Sequence, residues 1–463
     1  RYTDPLDVRV MAERWLTGDK HAERELSATV RDHPTTALET AAEYADAGLW
    51  SDGTNFLAMA ASAASDRARV SPLLYYYLGE FAENLGDNAA AANFRRLGSQ
   101  MPPDYVFPFQ WEAMAALRRA IELNPQDARA PYYLGNALFD GQPDEAVNFW
   151  KQSAALDPSF AIVHRNLAIA YAHQKTNRGP AAAIKELELA VAAPVRYAAH
   201  FTELDELYAE EGYPPEKRLA LLESNHEIVS KRDDALSREI GLKVFAGKYD
   251  EAIHLMTGRK FSVWEGGKLE VVDHWVNAHI LRGRQEIVAG QASAALADFQ
   301  AAKDIPDNLP TEQEVGRGSE LAYWQGVASK AAGDAATVRT LWIEATGTKV
   351  GRSRRGSHDQ VSGQQIQLYY QALAQRELGN TAEADSSLRE LLKLAEAAMQ
   401  TSPDSQVPNR NPSGKPVASA HYLAGLAHCG LNEMSKARED FRLALEAAPD
   451  LLGPKAELTH LPE

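Results

Sequence analysis

Along most of this chain small and large apolar residues recur in a fixed phase, one helical hairpin apart. Near the end, Gly425 is followed by Ala437, Phe441 and Ala444, and then by Pro449, where a helix must stop. The same twelve-residue step links Gly326 to Val338 and Gly79 to Ala91. Further copies read Gly290, Ala295, Phe299, Ala302, then Gly333, Val338, Trp342, Ala345, then Gly379, Ala384, Leu388. In the middle, Asn124-Pro125 and Asp157-Pro158 lie 33 residues apart, as do Leu134 and Leu167. The run Gly247-Lys248-Tyr249-Asp250-Glu251-Ala252 reads as a turn entering a helix, glycine supplying the turn and alanine the close approach. The N-terminal third is looser, with Gly18, Tyr44, Gly48, Leu57 and Ala60 keeping the phase. The pattern predicts antiparallel helix pairs, about ten of them.

A period near 34 residues with small residues where paired helices touch is similar to the tetratricopeptide repeat. The expected fold class is therefore all-α, a right-handed solenoid of tetratricopeptide-type hairpins. The expected organisation is repeats over 1–258, an irregular connection over 259–271 and further repeats over 272–463. Stretches rich in Gly, Ser, Pro, Asn and Arg predict surface loops near 346–363 and 401–417. The basic cluster Lys349, Arg352, Arg354, Arg355 falls in the first of these and reads as a solvated face. The Leu, Ala and Tyr stripes are packing residues.

Charge narrows the partners. A formal net charge of -16 repels phosphate backbones and anionic lipid, so neither nucleic acid nor membrane is an expected partner. The lone Cys429 excludes an intrachain disulfide and a cysteine-cluster metal site, and is compatible with a reducing, cytoplasmic setting. No run of about 18 apolar residues is present. The chain opens with Arg1, which predicts a piece of a longer polypeptide and leaves an upstream targeting segment open.

Four stretches go beyond the generic repeat: Tyr132-Tyr133-Leu134-Gly135-Asn136, His164-Arg165-Asn166-Leu167-Ala168, Glu203-Leu204-Asp205-Glu206-Leu207 and Arg259-Lys260-Phe261-Ser262-Val263-Trp264-Glu265-Gly266-Gly267. In this order they resemble the C-terminal repeat region of bacterial tetratricopeptide proteins that begin with the domain of unknown function 5107. The resemblance covers roughly residues 4–342. It implies a larger polypeptide whose N-terminal domain is β-rich and similar to sugar-handling sandwich folds, with a link to carbohydrate metabolism by analogy.

Phosphate-loop, dinucleotide and paired-histidine metal motifs are absent, and neither cofactor nor metal is expected. His164 reads as a packing or surface residue. Sugar hydrolysis needs only two carboxylates, which makes Glu203, Asp205 and Glu265 weak catalytic candidates; Glu203, Glu206 and Glu210 share one helix face. Trp264 beside Glu265 offers an aromatic platform for a sugar ring, or a plug for the irregular connection. The concave wall of such a stack is built from first helices, which predicts a binding patch of Tyr132, Tyr133, Asn136, Arg165, Asn166 and Glu203. Asn136 and Asn166 resemble the asparagines of a chaperone-tail carboxylate clamp, but Tyr132 and Glu203 stand where lysine and arginine are needed. A neutral polar ligand, a glycan or a protein face suits the patch better. The leading expectation is a scaffold that packs on or braces a β-rich domain of the same polypeptide or another protein. The alternatives are a contribution to a two-part, glycoside-hydrolase-like active site, and a stand-alone protein-binding adaptor.

Overall fold

The computed structural model describes residues 4, 6–173, 179–262, 269–310, 316–347, 358–400 and 415–461. Every regular element among them is helical, and the expected all-α fold of tetratricopeptide-type hairpins is the one observed. The described residues form two compact units, residues 1–196 and 197–463.

In the first unit the hairpins are Val8–Leu16 with Lys20–Val30, Pro34–Asp46 with Trp50–Ala63, Pro72–Asn84 with Asn88–Gln100, Arg129–Leu138 with Pro143–Leu156, and Ala161–Ala172 with Gly179–Ala192. A single helix, Trp111–Leu123, is inserted after the third pair. One apolar core runs through this unit from Met11 to Ala170.

In the second unit the hairpins are Ala198–Glu210 with Pro215–Ser224, Asp233–Phe245 with Tyr249–Thr257, Val271–Val288 with Ala292–Lys303, Gly318–Ala331 with Ala335–Gly347, His358–Glu377 with Thr381–Gln400, and Lys415–Gly430 with Met434–Ala447. The first helices of these pairs stand side by side, each touching the next, and form a wall. Helix Leu452–His460 follows the last pair.

Glycine plays two separate parts in this repeat. At Gly247 and Gly290 the backbone lies at φ +78° and +75°, where a side chain is strained, and the chain reverses between paired helices. On first helices the need is space. A Cβ at Gly135 would lie 2.5 Å from the Trp150 indole, and one at Gly283 would lie 2.7 Å from the Phe299 ring. These hairpins, like those of Gly326 with Trp342 and Gly425 with Phe441, seat an aromatic knob of the second helix on a bare spot of the first.

The irregular stretches on either side of Val271–Val288 and Ala292–Lys303 are stitched to each other. Phe261 N–H donates to the Asn308 carbonyl at 2.9 Å, and the Asn308 amide donates to the carbonyls of Met256 and Arg259 at 2.7 and 2.8 Å. Phe261 and Leu309 are buried beneath them. Trp264 and Glu265 lie outside the described residues, as do Lys349, Arg352, Arg354 and Arg355.

Candidate functional site

In the first unit, helix Arg129–Leu138 starts on the buried Asp127 carboxylate, which accepts from the N–H groups of Arg129 and Ala130 and from the Tyr76 hydroxyl at 2.8 Å. Burial pushes this carboxyl up; the three donors oppose that. Tyr132 and Tyr133, expected on the groove wall, are both core residues. Tyr133 is wholly buried edge-on to Tyr76, and Tyr132 packs edge-on to Phe160 at 4.8 Å between ring centres. Their large apolar area is better placed in the core than on a wall. Asn136 and Asn166 do meet: Asn166 Nδ2 donates to Asn136 Oδ1 at 2.9 Å, and the same oxygen accepts from Trp150 Nε1 at 3.0 Å. Both asparagines and Arg165 are half-buried, and Arg165 also has a partner of its own. Glu203 belongs to the second unit.

His164 is buried, with Nδ1 2.6 Å from the Glu186 carboxylate and Nε2 donating to the Pro158 carbonyl at 3.0 Å. Burial alone would lower its pKa, but Glu186 and the carbonyl outweigh burial and hold it above the ordinary value near 6.5. The charged imidazole is therefore the bound form. Its contribution is fully present below pH 6.5 and is lost as pH rises through the raised folded value. His164→Gln is expected to cost about 1.5–3 kcal/mol at pH 6, the range for hydrogen bonds to charged groups, and clearly less at pH 9. Thermal melts of both proteins across that range check it; a pH-independent difference would contradict it.

The acidic helix face of the second unit resolves into unequal parts. Asp205 is buried and accepts from Arg218 Nε at 2.7 Å, Arg218 Nη2 at 2.9 Å and Arg238 Nε at 2.6 Å. With both oxygens committed to guanidinium groups, it braces adjacent hairpins. Glu206 is exposed and receives Arg238 Nη1 at 3.3 Å. Its carboxyl is pushed up by desolvation; Arg238 pulls it back, while Glu203 and Glu210 push it further. Glu203 is half-buried and engaged.

Arg218 has a second partner, Asp450, whose Oδ2 accepts from Nη1 at 2.7 Å. Asp450 lies just before helix Leu452–His460, and this helix rests against side chains from hairpins far apart in sequence. Glu457 takes both terminal nitrogens of Arg284, at 2.7 and 3.1 Å. Arg284 is 4% exposed and lies over the Trp324 indole, 4.7 Å from the ring centre. Burial works against the Arg284 charge, yet Glu457 holds it firmly protonated. Lys455 sits 3.8 Å above the centre of the Phe245 ring. Leu452 and Ala456 pack on the core between Leu236 and Ala328, and Leu458 and Leu461 on the core between Tyr369 and Phe441. Gly453 faces Tyr422 with no room for a Cβ. Arginine, tryptophan and tyrosine side chains of the first-helix wall, joined by Arg218 from a second helix, thus grip a polypeptide helix.

None of Arg218, Arg284, Trp324 or Glu457 stood out in the sequence, because the ion partners lie 173 and 232 residues apart. A second feature had a readable local signal. In 105–111, Tyr105, Phe107, Phe109 and Trp111 are 62–91% exposed while Val106 and Pro108 between them are buried. Residues 106–109 alternate inward and outward, Tyr105 sits in the turn before them at φ +61° and Trp111 opens the next helix, so the four aromatics form an exposed edge. Among the described residues no group of three or more His, Cys, Asp or Glu side chains could hold a metal ion, and no helix is long and apolar enough to cross a membrane. Cys429 is half-buried, and burial pushes its thiol up.

No family model matches the chain. Among solved structures it is similar to yeast Tom70, at 11% identity over 98% of this chain and 94% of that one, with a TM-score of 0.30. It is also similar to the P58(IPK) TPR domain, at 14% identity, 83% and 97% coverage and a TM-score of 0.19. A third likeness is to the human IFIT1 dimer with PPP-AAAA, at 13% identity, 95% and 89% coverage and a TM-score of 0.24. Superposition this loose carries nothing about ligand or chemistry, and the fold assignment rests on the hairpins themselves.

Proposed function

We propose that this chain is a binding scaffold that packs on a neighbouring protein domain and braces it. The observation that carries the reading is the grip of the second unit on helix Leu452–His460 through Arg218, Arg284 and an aromatic floor. A wall that holds one polypeptide segment in this way has the chemistry to hold another. The exposed Tyr105, Phe107, Phe109 and Trp111 add an apolar edge of the kind that protein partners cover. The resemblance to repeat regions that follow the domain of unknown function 5107 makes a β-rich, carbohydrate-related N-terminal domain the first candidate for what is held. Co-expression of this chain with that upstream part is expected to yield a complex that survives gel filtration at micromolar concentration; separate elution would overturn the reading.

A role in completing a glycan-processing site is the second reading. Asp205 is spent on two arginines, and only the raised Glu206 carboxyl favours it. As a stand-alone adaptor, the chain would instead capture unrelated proteins without any upstream domain.

A further inference from the structure

Helix Leu452–His460 differs from the helices of the hairpins in how it is held. Its anchors come from Arg284, from the Phe245 ring under Lys455 and, through the preceding Asp450, from Arg218, on three other hairpins. Asp450 stands two residues ahead of the helix and Glu457 within it, and each meets a separate arginine. Leucines at 452 and 458 fill the apolar floor beside them. The fit is incomplete. Among the described residues, buried Arg284 Nε and Trp324 Nε1 find no acceptor; Arg284 is the residue that Glu457 meets, and Trp324 lies beneath its guanidinium. Buried donors normally have partners, so a site that leaves two unmet offers more than this helix uses.

We propose that helix Leu452–His460 is an internal occupant of a helix-binding groove, and that a partner segment with one acidic residue two positions ahead of a leucine-bearing helix and a second acidic residue on that helix displaces it. Further acceptors around Arg284 and Trp324 would let that partner meet Arg284 Nε and Trp324 Nε1. This rests on the binding-scaffold reading and supplies its recognition chemistry. Because the occupant is tethered, its effective concentration is high, and a free helix binds weakly until the tethered one is loosened.

The probe is a fluorescein-labelled peptide of residues 448–461, titrated by anisotropy into full chains whose helicity is checked by circular dichroism. Gly453→Leu drives a side chain into Tyr422 and unseats the tethered helix. It is expected to raise peptide affinity at least ~10-fold over the native chain. A second pair stays decisive if that variant misfolds. Arg284→Glu repels Glu457, so this chain should reject the native peptide and bind one carrying Glu457→Arg. Equal affinities of the native and Gly453→Leu chains, both folded, would overturn the proposal, as would failure of the charge-reversed pair to bind. Co-purification with the upstream domain is scored separately, so bracing can stand when peptide binding fails.

Discussion

Asp205→Ala is expected to lower the unfolding free energy of the second unit by about 3–5 kcal/mol, the cost of removing one partner from a buried ion pair. Three guanidinium nitrogens lose their acceptor at once, two on Arg218 and one on Arg238, and Arg218 is itself buried. Asp450 still holds the far nitrogen of Arg218 and does not replace the lost bidentate contact. A chain carrying both Asp205→Leu and Arg218→Met should recover much of the loss, since a matched apolar pair needs no desolvation of charge. Urea unfolding, with hydrogen exchange across Ala198–Glu210 and Pro215–Ser224, measures both. A loss below about 1 kcal/mol in the single variant would mean that the cluster is an ordinary surface network. The same experiment bears on the glycan-processing reading, because a carboxylate that anchors two arginines is unavailable to move a proton.

Phe299→Ala is the second large effect, at about 3–5 kcal/mol for a wholly buried phenylalanine. This ring fills the place where Gly283 lacks a Cβ, so Gly283→Ala is destabilising from the other side, by about 1–3 kcal/mol through overpacking. The two changes share one cavity. The double variant should cost less than the sum of the singles, by about 0.5–3 kcal/mol in a double-mutant cycle. In a stack where each hairpin leans on its neighbours, the loss should appear first as faster exchange in Val271–Val288 and Ala292–Lys303. Strict additivity would mean that glycine and ring are not complementary parts of the repeat.

Repeat architecture is legible in a sequence because its rules are local. A glycine on a first helix and an aromatic on the second lie about sixteen residues apart, as Gly283 and Phe299 or Gly326 and Trp342 do, and the chain has little freedom between them. The hairpins were therefore read from spacing alone, eleven pairs among the described residues against about ten expected. The inserted helix Trp111–Leu123 and the aromatic edge before it passed unnoticed, since neither follows the repeat. Within the proposed groove of the first unit, residue type misled: tyrosine suits a binding wall and a core equally well, and burial of Tyr132 and Tyr133 decided between them. Asn136 and Asn166 bond across 30 residues, three short of the 33-residue step, so the period alone did not pair them.

What the sequence determined by itself is the periodic part, helices, turns and the knob-and-gap packing within hairpins such as those of Gly283 and Gly425, because steric fit between neighbours is set by adjacent residues. What only the tertiary structure decided is who meets whom across the stack. Arg284 finds Glu457 and Arg218 finds Asp450 because stacking carries chain ends of hairpins past one another in space, and no local spacing records that. Side-chain charge says that a partner is needed; only the three-dimensional path of the chain says which one is within reach.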